Sequence, residues 1–406
     1  MSIGGTILKM TAVLAFLVIG ALLLDTVCII PNAKAAFKAG LPKDSIACFV
    51  PRKDIVRDIQ WTIRRLPSAD KPPLHPGGYT LIKGQHGCGK TTILKQALTK
   101  SGPGILYVPV DVDGDVSVSL YRSLKVNTYC DGFWPKFLSY LKIPSSICLD
   151  DPQSRLKYAL QILAQAAAEI TQEEGYIPVV VFDNLSQILK QQDFNGIQAV
   201  ALLQDTAKEM SDKKLLIVVF AASDSSVPNL MRARSSISRL LTTIDIGDIT
   251  DEQALDYLTC LCDDASNDEI ATVVNLVGGC FVDLLNAANV IEIRKHGVNE
   301  SLEKLLLDTL KDLEKTLLNA LPTRVHTAVF KIARGLLESS TGTLTVAEYA
   351  SYVKELNQTD RQLIDTMNIF LINSPDVMFH SRLTKRYFES LYKEEKSLLN
   401  NENNNV

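Results

Sequence analysis

Gly84-Gln85-His86-Gly87-Cys88-Gly89-Lys90-Thr91 is the stretch that decides the fold. It spells G-x-x-x-x-G-K-[ST], and its flanks matter as much as the pattern. Before it, Tyr79-Thr80-Leu81-Ile82 reads as a short buried strand. After it, Thr92-Ile93-Leu94-Lys95-Gln96-Ala97-Leu98 reads as a helix, stopped by Ser101-Gly102-Pro103-Gly104. Strand, glycine-rich turn and helix in that order aim backbone N–H groups and the positive end of a helix at one spot, which suits a triphosphate. The expected nucleotide-binding residues are Gly84, Gly87, Cys88, Gly89, Lys90, Thr91 and Thr92. Lys90 would reach the outer phosphates and the Thr91 hydroxyl would coordinate Mg²⁺. His86 and Cys88 occupy variable loop positions and are expected to contribute only backbone N–H groups. ATP and Mg²⁺ are the expected cofactors.

A second acidic strand follows. Ile177-Pro178-Val179-Val180-Val181-Phe182-Asp183 is apolar throughout and ends in a carboxylate. Such a run suits a parallel sheet covered on both faces. Asp183 is expected to hold the Mg²⁺ through water, joining Thr91 on the metal. The next residue, Asn184, carries an amide that cannot act as a base. Asp111 and Asp113, at the end of the run Ile105 to Asp113, are replacement candidates, with turn carboxylates as the plainer reading. Leu215 to Phe220 forms a further strand, and Ser223 just beyond it is a candidate γ-phosphate sensor. Arg239 ends a basic segment, Met231 to Arg239, from which an arginine could stabilise phosphoryl charge in cis or across the interface of a homo-oligomer. A solvated basic face is its alternative. The expected catalytic set is Asp183, Asn184, Ser223 and Arg239.

Composition bounds the rest. The 406 residues carry 42 Lys+Arg against 46 Asp+Glu, a net charge of −4, with 46% hydrophobic and 22% charged residues. Those are globular proportions, and the charge excludes a protein that blankets nucleic acid. The eight cysteines form no paired framework and read as free thiols in a reducing compartment. Met10 to Leu24 is uncharged and fits either a membrane span or a signal-peptide core, and Ala33-Lys34-Ala35 resembles a cleavage site. Lys34, Lys38, Lys43, Arg52 and Lys53 follow the run and only Lys9 precedes it, which favours an anchor with the remainder cytosolic. Secretion after cleavage is the alternative.

The order of these pieces resembles the STAND branch of AAA+-type P-loop ATPases, particularly the archaeal-type ATPase domain and its fungal relatives. Phe49-Val50-Pro51-Arg52-Lys53-Asp54-Ile55 is similar to that family's opening motif, Leu240 to Ala254 to its strand-to-lid junction, and Leu276-Val277-Gly278-Gly279-Cys280-Phe281 to its G-G turn. The resemblance implies an α/β P-loop NTPase with a parallel sheet, followed by a helical lid and a winged-helix-like domain. Two departures weigh against brisk hydrolysis: Asn184 stands where relatives carry a glutamate, and Cys280 offers no basic sensor. The expected division is 1–35 anchor or signal, 36–76 linker and opening motif, 77–246 ATPase core, 247–320 lid, 321–395 winged helix and 396–406 disordered tail. Leu321 to Glu395 carries nine Lys+Arg and nine Asp+Glu, which favours protein packing over nucleic acid. The implied protein is a membrane-anchored, ATP-dependent switch or motor acting on a protein partner, or a nucleotide-binding scaffold that hydrolyses little.

Overall fold

The computed structural model describes residues 28–41, 48–63, 78–126, 151–190, 195–223, 226–262, 265–295, 321–366, 369–373 and 376–403. The Met10–Leu24 run and the helical pattern from Leu305 to Leu321 lie outside them, apart from Leu321 itself.

Five strands form one sheet: β1 (Tyr79–Gly84), β2 (Ile105–Pro109), β3 (Val179–Asp183), β4 (Ile217–Ala222) and β5 (Leu240–Ile246), in the order β2-β3-β4-β1-β5. Every pairing is parallel. All carboxyl ends therefore share one edge, and β4 separates the phosphate-loop strand from the Asp183 strand. Alternating side chains feed two apolar layers. Leu81, Val180, Phe182, Val218 and Phe220 pack beneath one set of helices, whereas Ile82, Val179, Val181 and Val219 pack beneath the other. The second set is α2 (Lys53–Thr62) and α3 (Lys90–Thr99).

The first set includes helix α1 (residues 28–39), α4 (Val116–Ser123) and α5 (Pro152–Glu174). Helix α5 is specified locally. The Asp151 side chain accepts from the Ser154 N–H, Pro152 sits at the start, and Gly175 ends the helix in a left-handed conformation. Helix α1 buries Ala33, Ala36 and Phe37 in this layer, and Lys34 bridges to Glu169 and Glu173 of α5 at 3.2 and 2.5 Å. A boundary at residue 35 therefore falls inside a packed helix. The same side holds α6 (Ser186–Lys190), α7 (Asn195–Asp212) and α8 (Ser226–Arg232).

Three lid helices follow: α9 (Asp251–Leu261), α10 (Asn267–Val277) and α11 (Phe281–Lys295). Thr250 with Gln253, and Ser266 with Glu269, form capping boxes that start α9 and α10. The C-terminal unit contains α12 (Thr323–Glu338), a short strand β6 (Leu344–Thr345), α13 (Val346–Val353), α14 (Gln358–Thr366), a hairpin of β7 (Phe370–Asn373) and β8 (Asp376–Phe379), and α15 (Arg382–Asn403). Three helices, a hairpin and the closing helix α15 give the expected winged-helix architecture. Helix α15 continues to Asn403, into the stretch expected to be a disordered tail.

One expectation about cysteine is corrected. Cys48 and Cys260 form a disulfide across 212 residues, tying the segment before α2 to lid helix α9. No local spacing announces that pair, because folding alone brings the two segments together. Cys88 and Cys280 are buried free thiols, Cys28 is an exposed one, and Cys262 is buried.

Candidate nucleotide site

The loop between β1 and α3 sits at the carboxyl edge of the sheet, where open parallel sheets leave a crevice. Gly87 and Gly89 have φ of +79° and +87°, a region that side-chain-bearing residues avoid. A Cβ on Gly87 would lie 2.3 Å from Cγ2 of Val282, so the lid helix α11 rests directly on the loop. Phe281 approaches Gly89 and meets Tyr257 of α9 edge-on, with ring centroids 5.0 Å apart. The Lys90 amine is buried and donates to the carbonyls of Gly84 at 3.0 Å and Gln85 at 2.6 Å. Thr91 Oγ1 donates to Asp183 Oδ2 at 2.7 Å. The two expected metal-side groups, 92 residues apart in sequence, thus meet at the start of α3.

This donor set fits the cofactors expected. A left-handed glycine loop leading into a helix N-terminus, a buried ammonium and a hydroxyl–carboxylate pair are chemically matched to a triphosphate with a hard divalent cation.

Asn184 follows Asp183 with φ +64°, a left-handed conformation that asparagine tolerates better than most residues. Its N–H donates to Asp183 Oδ1 at 2.8 Å and its side-chain amide to the Val110 carbonyl at 3.4 Å. Ser223 lies just beyond β4, between the loop strand and the Asp183 strand, and its N–H donates to Ser186 Oγ at 2.9 Å. Asp111 pairs with Arg122 and Asp113 is exposed in the turn after β2.

Arg239 lies away from the loop. It precedes β5 at the amino end of the sheet, where Leu240 pairs with Tyr79, and it bridges to Asp212 at 2.7 Å. A strand that runs parallel to its neighbours must begin at the edge opposite the crevice, so the residues just before it return there. That constraint was available from the sequence.

Several further groups lie near the loop. His380, which follows β8 in the winged helix, lies within reach of the loop's charges. Burial, reinforced by the charges of His86 and Lys90, pulls its pKa down to about 4. Asp283 of α11 is pushed up to about 6, mainly by burial; a hydrogen bond from Ser381 opposes the rise and Asp248 adds to it. Asp248 is also raised by burial, against the pull of Arg52 and Arg382. Burial likewise raises the Cys88 thiol, and it raises Cys280 to about 12, so neither serves as a ready thiolate. Arg52 donates to the Gly247 carbonyl at 2.7 Å, fastening the opening motif to the lid hinge, and Arg382 bridges to Asp251 at 3.0 Å. Core, lid and winged helix thus converge behind the loop. These contacts are tertiary, between segments distant in the chain, and no local pattern announces them.

No family model matches the chain, and neither does any curated protein. Solved structures do. A Walker-type ATPase of Pyrococcus abyssi is similar over 86% of this chain and 98% of its own, at 16% identity and a TM-score of 0.54. The Orc2 protein of Aeropyrum pernix, solved in complexes with ADPNP and ADP, covers 87% of this chain and 98% of its own at 12% identity, with a TM-score of 0.48. The first of these likenesses, together with the sheet order and the loop, gives this chain the α/β fold of the Walker-type P-loop ATPases.

Proposed function

We propose that this chain is a Mg·ATP-binding P-loop ATPase of the AAA+ kind, with a STAND-like arrangement, and that it works as a nucleotide-dependent switch with slow hydrolysis. The observation that carries this reading is the 2.7 Å contact of Thr91 with Asp183 at the mouth of the glycine loop. Bound Mg²⁺ would supply charge neutralisation at the outer phosphates and a template for the attacking water. Among the chain's own residues, Lys90 binds those phosphates, Thr91 and Asp183 hold the ion, and Ser223 reads the terminal phosphate from the neighbouring strand. Asn184 cannot remove a proton from water, and Asp111 is engaged by Arg122.

The lid touches the loop through Phe281 and Val282, and the winged helix approaches it through His380. A change at the terminal phosphate therefore has a direct route to both units, which is what a switch requires. A scaffold that binds ATP and hydrolyses almost none is the second reading, and the amide at position 184 favours it. The partner we favour is a protein. The stretch from Leu321 to Glu395 carries as many Asp+Glu as Lys+Arg, nine of each, a balance that favours packing on a protein over binding phosphates. The Arg239–Asp212 pair lends no support to an arginine acting across a homo-oligomer.

For location, membrane insertion of the Met10–Leu24 run remains our reading. The Cys48–Cys260 disulfide favours export of the residues that follow over a cytosolic placement, because such bonds persist in oxidising compartments.

The switch is tested by spectroscopic labels on α15 and α3, with the distance compared in Mg·ATP and Mg·ADP. Two different distances are expected. The same distance in both nucleotides, with both shown to be bound, contradicts a switch and leaves the scaffold.

A further inference from the structure

Asp183 accepts more than the phosphate-loop arrangement demands. Oδ1 takes the Asn184 N–H at 2.8 Å. Oδ2 takes two hydroxyls, Thr91 at 2.7 Å and the phenol of Tyr107 at 2.6 Å. The Thr91 contact belongs to the loop and its metal carboxylate. The Tyr107 contact belongs to neither motif and follows from strand register. Tyr107 on β2 pairs with Val181 on β3, two residues before Asp183. Side chains two apart share a face, so Tyr107 and Asp183 point to the same side of the sheet, offset diagonally by a distance that an aromatic side chain spans. Its ring is partly buried against Val179, Val181 and their neighbours, and its hydroxyl reaches the carboxylate at the sheet edge.

We propose that Tyr107 is a positioning residue for the metal side of the site, holding the Asp183 carboxylate in the orientation in which it and Thr91 bind Mg²⁺. This rests on the reading of the site as a Mg·ATP site. The terminal torsion of an aspartate is broad and twofold, so a carboxylate without fixed donors samples many orientations. A phenol donating to an ionised acceptor makes a strong hydrogen bond and narrows that range. The phenol sits on β2, outside the phosphate loop and the Asp183 strand. It therefore acts on the ion only through Asp183, and it leaves the phosphate contacts of Lys90 and the loop N–H groups untouched. Replacing the donor should weaken metal binding and spare nucleotide binding in the absence of metal.

The test is calorimetric titration of ATP into the full chain over a range of free Mg²⁺, including none, for wild type, Tyr107→Phe, Asp183→Asn and the double variant. Phenylalanine keeps the ring and removes only the donor, and matched melting temperatures would establish an intact fold. Loss of a partner that orients a metal ligand typically costs about 10–100-fold in metal affinity. Tyr107→Phe is therefore expected to raise the Mg²⁺ concentration needed for half of the affinity gain by about tenfold, with metal-free ATP affinity unchanged. In the Asp183→Asn background it should add nothing, since its action runs through that carboxylate. Should Tyr107→Phe not fold, Tyr107→His, which keeps a ring donor, is read in the same titration and should lie between wild type and Asp183→Asn. A Tyr107→Phe protein with wild-type Mg²⁺ dependence would overturn the positioning role while the Mg·ATP reading stands. So would additive effects in the double variant. A wild type that binds no ATP, or binds it without regard to Mg²⁺, overturns both.

Discussion

Asn184 shows how a single backbone angle changes the meaning of a substitution. From sequence alone, Asn184→Glu restores a missing base. At φ +64° it also replaces a residue that tolerates left-handed backbone with one that does not, at a cost of about 1 kcal/mol. A glutamate cannot donate to the Val110 carbonyl, so its carboxylate turns away from it. Two readouts should then move in opposite directions: a lower melting temperature and a higher ATP turnover. A variant that loses stability without gaining turnover means that water activation is not what limits the wild type. Asp283 gives a second test. Its folded pKa of about 6 lies above the ordinary value of 3.8, so the folded state holds the proton more tightly. The stability this contributes is present below pH 4 and lost as pH rises through 6. Asp283→Asn should be more stable than wild type at pH 7, by up to about 3 kcal/mol, with the difference closing below pH 4. His380 works in the opposite sense. Its lowered pKa contributes stability above about 6.5 that is lost as pH falls through 4, in wild type and Asp283→Asn alike. Equal stability of Asp283→Asn and wild type at pH 7 would contradict the buried setting described for that carboxylate.

At the scale of elements, the sheet and the phosphate loop were legible because each is a local pattern. Tyr79 to Ile82, Val179 to Asp183 and Leu215 to Phe220 are apolar runs of strand length, and α5 carries its own start and stop in Asp151, Pro152 and Gly175. Boundaries moved by a residue or two, as at β4, which spans Ile217–Ala222. What the sequence did not announce depends on partners distant in the chain: the Tyr107–Asp183 contact, Val282 on Gly87, His380 behind the loop, and Cys48 with Cys260. The edge that Arg239 occupies follows from the direction of β5, since Leu240 pairs with Tyr79 at the amino end of the sheet. The G-G turn, a weak pattern by itself, proves to be a close approach. A Cβ on Gly279 would lie 1.8 Å from the Ile249 carbonyl oxygen, whose residue in turn donates its N–H to the Gly279 carbonyl at 3.1 Å. Gly279→Ala must part the hinge from α11 and is expected to destabilise the lid by several kcal/mol. Faster hydrogen exchange confined to α9–α11 would report this, and exchange equal to wild type would contradict the packing.

Across the whole molecule, one covalent link holds the lid to the segment that precedes α2. A disulfide closing so long a loop is typically worth about 2–4 kcal/mol. Reduction, or Cys48→Ser, should lower the melting temperature and speed nucleotide release, because Val50 and the hinge contact of Arg52 lie in the segment that the bond secures. Unchanged release in the reduced protein would mean that noncovalent packing alone holds the lid. The N-terminal boundary is tested in the same way. Removing residues 1–27 should leave the fold intact, whereas removing 1–39 strips Ala33, Ala36 and Phe37 from the core and should unfold or aggregate it. The central claim is that the loop from Gly84 to Thr91 and the carboxylate of Asp183 form a Mg·ATP site. Calorimetric titration of Mg·ATP into wild type and Lys90→Ala tests it most directly. Wild type should bind with an affinity in the range of about 1 μM–1 mM common for enzyme substrates. Lys90→Ala, at unchanged melting temperature, should bind about 10–100-fold more weakly, the cost of one charged hydrogen-bonding partner on the outer phosphates. Equal affinity in the two proteins, or no binding by wild type, would contradict it.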